Sequence, residues 1–367
     1  MKPNGRTFDV IVLGGGPAGA TAATVLARLG VRPVLLDVRR AGKRRKGEIL
    51  DSRALGLLGK LGLDGRLLGL ASATVPGHVL DWNTGPDEVS NVRNPFGQGR
   101  VVDRDQLDPL LREAASLAGA VVTETETPPE AEYTENRWFA RAGCKVGGTA
   151  FSAPLLLDCT GRRASVVRRF GRRLRLDRLV CDYYLATTAT ADLDSRWLVA
   201  ADELGWWYSV RTGSRLRVFC RFHAEPGRRI GRRLEFLRRD CHVALTAERF
   251  ACEVSEAARL DASSWMFDFE HPSLAAAGDA AFTIDPLSGQ GVSLAVAQGV
   301  LAADAAARHL GGARTALAQL KAIQRREFQS AAVSRLETYS ACDRWKDSPF
   351  WKNRLRPTRD AASHSSP

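Results

Sequence analysis

Short apolar runs alternate with helical segments at the start of the chain. Phe8–Leu13 is an apolar, β-branched run bounded by glycines, which predicts a strand buried on both faces. Ala18–Leu29 is rich in alanine and predicts a helix, and Arg32–Leu36 predicts a second strand. Strand, helix and strand in this order predict an α/β, Rossmann-like unit.

The same patterns predict the elements further along. Ala71–Phe96 is rich in Gly, Pro and Asn, which indicates a loop or a short sheet crossing rather than a helix. Helices are predicted over Ser52–Leu61, within Val101–Ala118, over Val292–His309 and within Arg325–Arg354. Strands are predicted within Val121–Ala150 and over Ala153–Leu157, Val180–Thr190 and Trp206–Phe222. Within the first range, Pro128-Pro129 and Gly147-Gly148 are predicted to interrupt the strands with turns.

The glycines after the first strand have the spacing of a dinucleotide-binding turn. Gly14 suits a tight turn, Gly16 lets the backbone approach a pyrophosphate, and Gly19 lets helix and strand pack closely. The pyrophosphate would lie at the positive end of the helix dipole, and Asp37 would accept a hydrogen bond from a ribose hydroxyl. The candidate cofactor contacts in this unit are Gly14, Gly16, Pro17, Ala18, Gly19, Asp37 and Val38.

Composition narrows the class of protein. The 367 residues are 44% hydrophobic and 26% charged, as in an ordinary globular enzyme. We expect no membrane span and no signal peptide. The seven cysteines lack a CxxC pair and the six histidines lack metal-ligand spacing. These features favour reduced thiols, a cytoplasmic location and no metal site.

The net charge of +12 comes largely from arginine, in the clusters Arg39–Lys46, Arg162–Arg175 and Arg228–Arg239. Such a surface attracts an acidic partner, for example a phosphorylated cofactor, a carrier or a peptide. For any one cluster, a solvated, arginine-biased surface is the favoured interpretation. The sequence has no basic motif interleaved with aromatic residues, so its charge does not indicate a nucleic-acid partner in particular.

Two later motifs extend the predicted cofactor site. One is the strand end Asp158-Cys159-Thr160-Gly161, and the other is Gly278-Asp279 followed by Asp285–Gly291 before a helix. Asp279 offers a carboxylate to a polyol chain, and the helix after Gly291 directs its positive end at the far end of the cofactor. The further candidate cofactor contacts are Arg45, Glu48, Arg104, Thr160, Gly161, Gly278, Asp279, Pro286, Gly289, Gln290 and Gly291.

These three motifs resemble the FAD fingerprints of the class A flavoprotein monooxygenases, whose fold is that of para-hydroxybenzoate hydroxylase. The resemblance spans nearly the whole chain and implies FAD with its adenosine at Gly14–Asp37, its ribityl chain at Asp279 and its flavin ring beside Pro286–Gly291. Further similarity points to a subgroup close to tryptophan halogenases and to flavoproteins that mature quinone-cofactor amine dehydrogenases and lysine oxidases. The stretches that carry it are Gly47-Glu48, Asn94–Gly97 before Asp103-Arg104, Gly205–Tyr208 and Asp347–Trp351.

The chain departs from the halogenases at two places. They carry a lysine on the strand crossing after the Gly-Glu element, whereas here no lysine lies between Lys60 and Lys145. Their W-x-W-x-I-P signature would begin at Trp206, and only that first tryptophan is kept. We therefore favour monooxygenation over halogenation.

The resemblance implies oxygen transfer from a flavin C4a-hydroperoxide to an aromatic substrate, with tryptophan-derived, peptide-, protein- or carrier-bound substrates as candidates. His78 and Asp81 are candidate acid/base groups, and Trp206 and Tyr208, with Trp207, line the cavity or pack behind it. A single GxGxxG leaves the electron source open between NAD(P)H and a separate flavin reductase, with O2 as co-substrate. A halogenase, an FAD-dependent prenyl reductase and a non-catalytic flavoprotein maturation factor are also compatible with these motifs.

The predicted organisation is a Rossmann-like, glutathione-reductase-type FAD-binding domain intergrown with a β-sheet substrate domain. The first comprises residues 1–75, 98–170 and 270–312, and the second comprises 76–97 and 171–269. Residues 313–355 are predicted to form C-terminal helices and 356–367 a disordered tail.

Overall fold

The computed structural model describes residues 6–38, 46–83, 85–90, 98–143, 149–224 and 252–355. The predicted tail, the cluster Arg228–Arg239, Asn94–Gly97 and Gly147-Gly148 lie outside these residues. The helices are α1 (Pro17–Arg28), α2 (Ser52–Lys60), α3 (Asp64–Leu70), α4 (Arg104–Leu117), α5 (Gly291–Leu310), α6 (Ala316–Ser340) and α7 (Pro349–Leu355). Short 3-10 helices cover Gly161–Arg163, Val167–Arg169, Gly278–Ala280 and Pro286–Ser288.

The strands fall into two long series along the chain. The first is β1 (Arg6–Thr7), β2 (Val10–Leu13), β3 (Pro33–Val38), β4 (Glu48–Leu50), β5 (Ala71–Val75), β6 (Gly77–Asp81), β7 (Pro86–Ser90), β8 (Gly99–Val102), β9 (Val121–Thr125), β10 (Thr127–Thr134), β11 (Arg137–Gly143), β12 (Ala150–Ala153) and β13 (Leu155–Asp158). The second is β14 (Gly171–Arg175), β15 (Val180–Thr187), β16 (Trp197–Asp202), β17 (Gly205–Gly213), β18 (Leu216–His223), β19 (Glu253–Asp261), β20 (Trp265–Phe269), β21 (Leu274–Ala276) and β22 (Phe282–Thr283).

A parallel sheet in the order β21-β13-β2-β3-β9 confirms the predicted Rossmann-like unit. Val10 and Val12 of β2 pack with the helices on one face, while Ile11 and Leu13 pack with the β10–β12 layer on the other. This double burial explains why the run has no polar alternation. Helix α1 is buried along most of its length.

A mixed sheet in the order β19-β15-β18-β17-β16-β6-β7 forms the wall opposite the parallel unit. Its pairs are antiparallel except β16 with β6, which is parallel. The predicted sheet crossing within Ala71–Phe96 is confirmed by β5, β6 and β7. This sheet contains the segments predicted to hold the substrate, although the domain boundaries themselves stay a prediction.

Prolines account for two differences between the predicted and the observed strands. Pro154 separates β12, which pairs antiparallel with β11, from β13, which pairs parallel with β2, so the predicted strand Ala153–Leu157 is split between two sheets. A proline cannot donate a ladder hydrogen bond, which suits this change of partner. Pro128-Pro129 lies within β10 rather than in a turn, at a register irregularity between Thr127 and Glu130.

The C-terminal helices pack on the rest of the fold. Helix α6 packs against α5 through Leu317 and Leu320, and it begins nine residues before the predicted Arg325. Helix α7 buries Phe350, Trp351 and Arg354. In the described part of the chain, no helix combines the length and apolar character needed to cross a bilayer.

Candidate active site

Close packing where β2 leads into α1 requires glycine at Gly14 and at Gly19. Gly14 has φ of +103°, and a Cβ there would lie 2.3 Å from the carbonyl oxygen of Cys159. A Cβ on Gly19 would lie 1.9 Å from the Gly14 carbonyl oxygen. Gly16 is different, because its nearest neighbour would be an Arg104 nitrogen at 3.7 Å. The space above Gly16 is therefore open to a ligand.

The N-terminus of α1 is available to an anion. The N-cap residue is Gly16, which has no side chain that could accept a hydrogen bond from the helix. Pro17 occupies the first turn, and that turn contains no acidic residue. Unpaired N–H groups at a helix start favour a phosphate. Arg104 lies beside this end, held by Asp108 through hydrogen bonds of 2.6 and 2.9 Å. Asp108 is fully buried, so the guanidinium is held in a fixed position.

Asp37 lies near the end of β3, beside the glycine turn. Its carboxylate accepts from the Gly15 N–H at 2.9 Å and from Arg112 Nη1 at 3.2 Å. Arg112, on α4, also pairs with Glu124 at 3.6 Å. Sequence reasoning missed Arg112, because it lies 75 residues after Asp37 and belongs to no motif. Val38 follows Asp37 and is half-buried.

Asp158 shapes the second motif. The fully buried carboxylate accepts from the Thr160 N–H and hydroxyl and from the N–H groups of Val166 and Val167, at 2.7 to 3.0 Å. These bonds fold the chain after β13 into the turn that places Thr160 and Gly161. Arg162 follows and reaches the cavity wall, where it donates to the Ser263 carbonyl at 2.6 Å.

Gly278 and Asp279 join the glycine turn to the cavity. Gly278 has φ of +64°, and a Cβ there would lie 2.9 Å from the Ala18 side chain. The Gly278 N–H donates to Gln298 Oε1 at 2.8 Å. Asp279 lines the cavity, and burial raises the pKa of its carboxyl. Gln298, on α5, is a further residue that sequence reasoning did not identify.

The N-terminus of α5 also opens into the cavity. Gly289 has φ of +63°, and the side chain of Gln290, the N-cap residue, makes no capping hydrogen bond to the helix. The first turn contains no acidic residue. Ahead of it, the 3-10 turn Pro286–Ser288 is capped by Asp285, which accepts from the Leu287 N–H at 3.0 Å. Helices α1 and α5 thus both begin without a side-chain cap, and the start of α5 forms part of the cavity lining.

The cavity has a volume of about 540 Å³ and lies between the parallel unit and the mixed sheet. Its aromatic wall is formed by Tyr183, Trp197, Trp206, Tyr208 and Phe222. Of the predicted site residues, those lining it are Glu48, His78, Trp206, Tyr208, Asp279, Pro286, Gly289, Gln290 and Gly291. The predicted contacts at the glycine turn, with Arg104, Thr160, Gly161 and Gly278, are not among its lining residues, and Arg45 lies outside the described residues.

His78 is a cavity residue on β6. Its ring stacks on Trp197 with centroids 4.5 Å apart, and its Nδ1 is buried with no hydrogen-bond partner among the described residues. Burial lowers the pKa of His78, which favours the neutral form of the imidazole at pH 7. A neutral imidazole that lines a cavity can exchange a proton or a hydrogen bond with a bound molecule.

Asp81 is placed elsewhere. It is buried, lies outside the cavity lining and pairs with Arg344 at 3.7 Å. Strand alternation puts it on the same side as Val79, which packs on the sheet face away from the cavity. The structure therefore does not bring the predicted acid/base pair of His78 and Asp81 together.

Trp206, Trp207 and Tyr208 divide between the two sheet faces. Trp206 and Tyr208 line the cavity, whereas Trp207 packs behind the sheet and donates to Asp202 at 2.8 Å. The Tyr208 hydroxyl donates to the Gly47 carbonyl at 3.0 Å. Burial raises the pKa of Tyr208 far above its ordinary value. Tyr208 therefore holds the Gly47-Glu48 element rather than offering a free hydroxyl.

These features fit FAD. The open cradle at Gly16, the Arg104 cation and the uncapped start of α1 suit a pyrophosphate. Asp37 suits a ribose, Asp279 a polyol, and the cavity beside α5 a planar ring. Since α1 and α5 pack so closely that a Cβ on Gly299 would lie 2.4 Å from the Ala18 carbonyl oxygen, one extended cofactor could contact both helix starts.

Comparison with known proteins agrees with this fit. The family described as "FAD binding domain" matches residues 7–336. LodB of Marinomonas mediterranea, named as an FAD-dependent oxidoreductase, is 25% identical over 362 residues, which cover 95% of this chain and 97% of LodB. The myxobacterial chondrochloren halogenase CndH superposes with a TM-score of 0.82 at 21% identity, covering 98% of this chain and 88% of CndH. The peptidyl tryptophan dihydroxylase QhpG superposes with a TM-score of 0.76 at 23% identity, covering 95% of this chain and 78% of QhpG. The two superpositions show a shared fold.

Proposed function

The chain belongs to the FAD binding domain family, of the class A flavoprotein monooxygenase type, and on that premise we propose that this FAD-dependent oxidoreductase hydroxylates an aromatic substrate. The observation that carries the proposal is the aromatic-walled cavity that reaches from His78 to the uncapped start of α5. Aromatic walls suit an aromatic substrate through stacked and edge-on contacts. The fold shared with a peptidyl tryptophan dihydroxylase adds support.

When bound, FAD supplies the reducing electrons and the activation of dioxygen. The protein contributes position and electrostatics. The N–H groups at the start of α5 stabilise negative charge that develops beside Gly291. Trp206 and Phe222, stacked with centroids 3.9 Å apart, form a rigid apolar wall that holds a flat substrate and excludes water.

His78 is the proposed base. Hydroxylation of an indole or phenol ring is aided when its N–H or O–H proton is accepted by a nearby group. The His78 ring lines the cavity and is fixed against Trp197. Asp81 has no part in this proposal, because it lies on the other face of the sheet.

The test is incorporation of labelled oxygen. Reduced holoprotein is mixed with isotopically labelled dioxygen and a panel of indole and phenol compounds, free and as tryptophan or tyrosine peptides. We expect one labelled oxygen atom in the product, detected by mass spectrometry. Oxidation of the flavin with label only in water and hydrogen peroxide, for every compound, would contradict the proposal.

Halogenation is the second candidate because the structure brings a lysine into the cavity. Lys46 lines the cavity, and its ammonium forms an ion pair with Asp103. The lysine absent from the strand crossing could thus be replaced by one from the Gly-Glu element. The same assay with bromide added distinguishes the two reactions. A brominated product that disappears in Lys46→Met, while FAD binding persists, would favour halogenation.

A prenyl reductase and a non-catalytic maturation factor receive less support. A prenyl reductase needs a long apolar groove, whereas this cavity also carries the charged residues Glu48, Arg162 and Asp279. A maturation factor without catalytic activity predicts no substrate-dependent oxygen consumption, which an oxygen electrode measures directly.

The nature of the substrate carrier, the electron donor and the location stay predictions. An arginine-rich surface with a net charge of +12 supports an acidic peptide or carrier protein as the substrate-bearing partner. The electrons would come from NAD(P)H or from a separate flavin reductase. Reduction of the bound flavin by NADH or NADPH alone, followed at the visible flavin band, distinguishes these donors. A cytoplasmic location follows from the expected reduced thiols.

A further inference from the structure

A buried polar network connects the cavity wall to the C-terminal helices. The Trp206 indole N–H donates to the Tyr339 hydroxyl at 2.8 Å, and that hydroxyl donates to Asp285 Oδ2 at 3.1 Å. Arg354 donates to the Tyr339 oxygen at 3.3 Å and also pairs with Asp285 Oδ2. The Tyr339 hydroxyl thus uses its single donor and accepts two hydrogen bonds.

The network is enclosed and close to charge balance. Tyr339 is 1% exposed, Arg354 3% and Asp285 6%. On its far side, Arg354 Nη1 lies 2.9 Å from Asp177, which also pairs with Arg335 at 3.2 Å. Two arginines therefore face two aspartates in a site with little water, where each lost partner leaves a buried charge.

Asp285 connects this network to the cavity and to the turn before α5. Asp285 lines the cavity and caps the turn Pro286–Ser288, which leads directly into the start of α5. One oxygen of its carboxylate holds this turn through the Leu287 N–H, and the other oxygen is held by Tyr339 and Arg354. The turn therefore cannot move without disturbing residues that lie 54 and 69 residues later in the chain.

We infer that Tyr339 and Arg354 are positioning residues for the flavin: through Asp285 they fix the turn Pro286–Ser288 against the flavin ring, and Trp206 shares the same hydrogen-bond network. The inference rests on the proposed function for the location of the ring. Neither residue contacts the reacting atoms in this scheme. They act by holding the groups that do.

The test compares Tyr339→Phe with a matched control, Trp82→Phe. Trp82 packs edge-on against Tyr339 and Trp351 and donates to the Thr338 carbonyl at 3.1 Å, so its loss weakens the same helix–sheet interface. Its indole N–H is thus committed to a backbone carbonyl of α6 rather than to the carboxylate that caps the turn. Both variants are reconstituted with FAD, and the Kd of FAD, the visible absorption spectrum of the bound flavin and the Tm are measured.

We expect both variants to melt below the wild type, because each loses a hydrogen bond at the interface between the C-terminal helices and the sheet. Only Tyr339→Phe should raise the Kd of FAD, by about fivefold, and shift the bound flavin spectrum. Equal Kd values and identical spectra in the two variants would overturn the inference and leave the network a purely structural link.

Arg354→Lys keeps the test decisive if Tyr339→Phe does not fold. A lysine keeps the charge but cannot reach Asp177 and Asp285 together as the planar guanidinium does. It should change the same two flavin readouts, and an unchanged spectrum and Kd would overturn the inference. The readouts require no turnover, so a wild type that binds FAD yet transfers no oxygen would defeat the proposed function while the comparison of variants still stands.

Discussion

His78 and Asp81 show how one strand separates two titratable residues. They lie three positions apart on β6, so strand alternation directs them to opposite faces of the sheet. His78 meets Trp197 inside the cavity, whereas Asp81 pairs with Arg344. Their chemistry follows from these surroundings: one imidazole lines the cavity, and one carboxylate is committed to an ion pair.

The pH dependence of the reaction should report His78. Burial lowers its pKa below the ordinary value of 6.5, so the neutral, proton-accepting form persists into mildly acidic solution. We expect kcat/KM to fall on the acid side only below pH 6.5. His78→Asn should lower the plateau by about a hundredfold or more and remove this acid limb.

The matched control is Asp81→Asn, which alters a carboxylate on the same strand outside the cavity. It should retain the pH profile of the wild type even where it lowers the Tm. An acid limb that persists unchanged in His78→Asn, or one that is absent in the wild type, would show that another group is the base.

At the scale of elements, the sequence predicts helices and strands correctly where the local pattern and the tertiary burial agree. β2, α1 and α5 were predictable because their apolar periods and flanking glycines point to one conformation. The prediction of one strand over Ala153–Leu157 was wrong in one respect, since Pro154 divides this run between an antiparallel and a parallel strand pair in two sheets. An apolar run does not reveal which sheet each half joins, because both halves are equally buried.

The glycine turn offers a prediction that separates folding from cofactor binding. Gly16 has φ of −78°, and a Cβ there would meet nothing nearer than an Arg104 nitrogen at 3.7 Å. Gly16→Ala should therefore keep the wild-type Tm while weakening FAD binding by at least about tenfold, since its methyl group occupies the space of the pyrophosphate. Differential scanning fluorimetry without FAD and an FAD titration measure the two effects.

The neighbouring glycines serve as controls for that variant. Gly19→Ala should destabilise the apoprotein by about 1–3 kcal/mol, because its Cβ would lie 1.9 Å from the Gly14 carbonyl oxygen. Gly56→Ala, in α2 with no atom within 4 Å of the added Cβ, should stabilise it by about 0.5–1 kcal/mol. Tight FAD binding by Gly16→Ala would mean that no pyrophosphate approaches this turn.

At the scale of the whole molecule, the site depends on contacts between distant parts of the chain. Arg112 reaches Asp37 from α4, and Tyr339 reaches Asp285 from α6. No local motif marks Arg112 or Tyr339, so the sequence predicted the ends of the cofactor site but not the residues that hold those ends. The glycine turn, Asp37, Thr160-Gly161 and Gly278-Asp279 were predictable because each lies at or just after the end of a strand of the parallel sheet.

A cofactor that spans the glycine turn and the cavity should stabilise both walls of the site. Binding only to the folded state adds about 2.7 kcal/mol at a hundredfold excess of FAD over its Kd, which corresponds to a rise in Tm of roughly 3–4 °C for a chain of this size. In hydrogen–deuterium exchange, FAD should slow exchange at the turn after β2, at the start of α5 and in β4, whose Glu48 lines the cavity. ADP carries the adenosine and pyrophosphate without the flavin, so it should protect only the turn after β2. Protection by FAD restricted to that turn would place the flavin ring outside the cavity and remove the basis for an aromatic substrate beside His78.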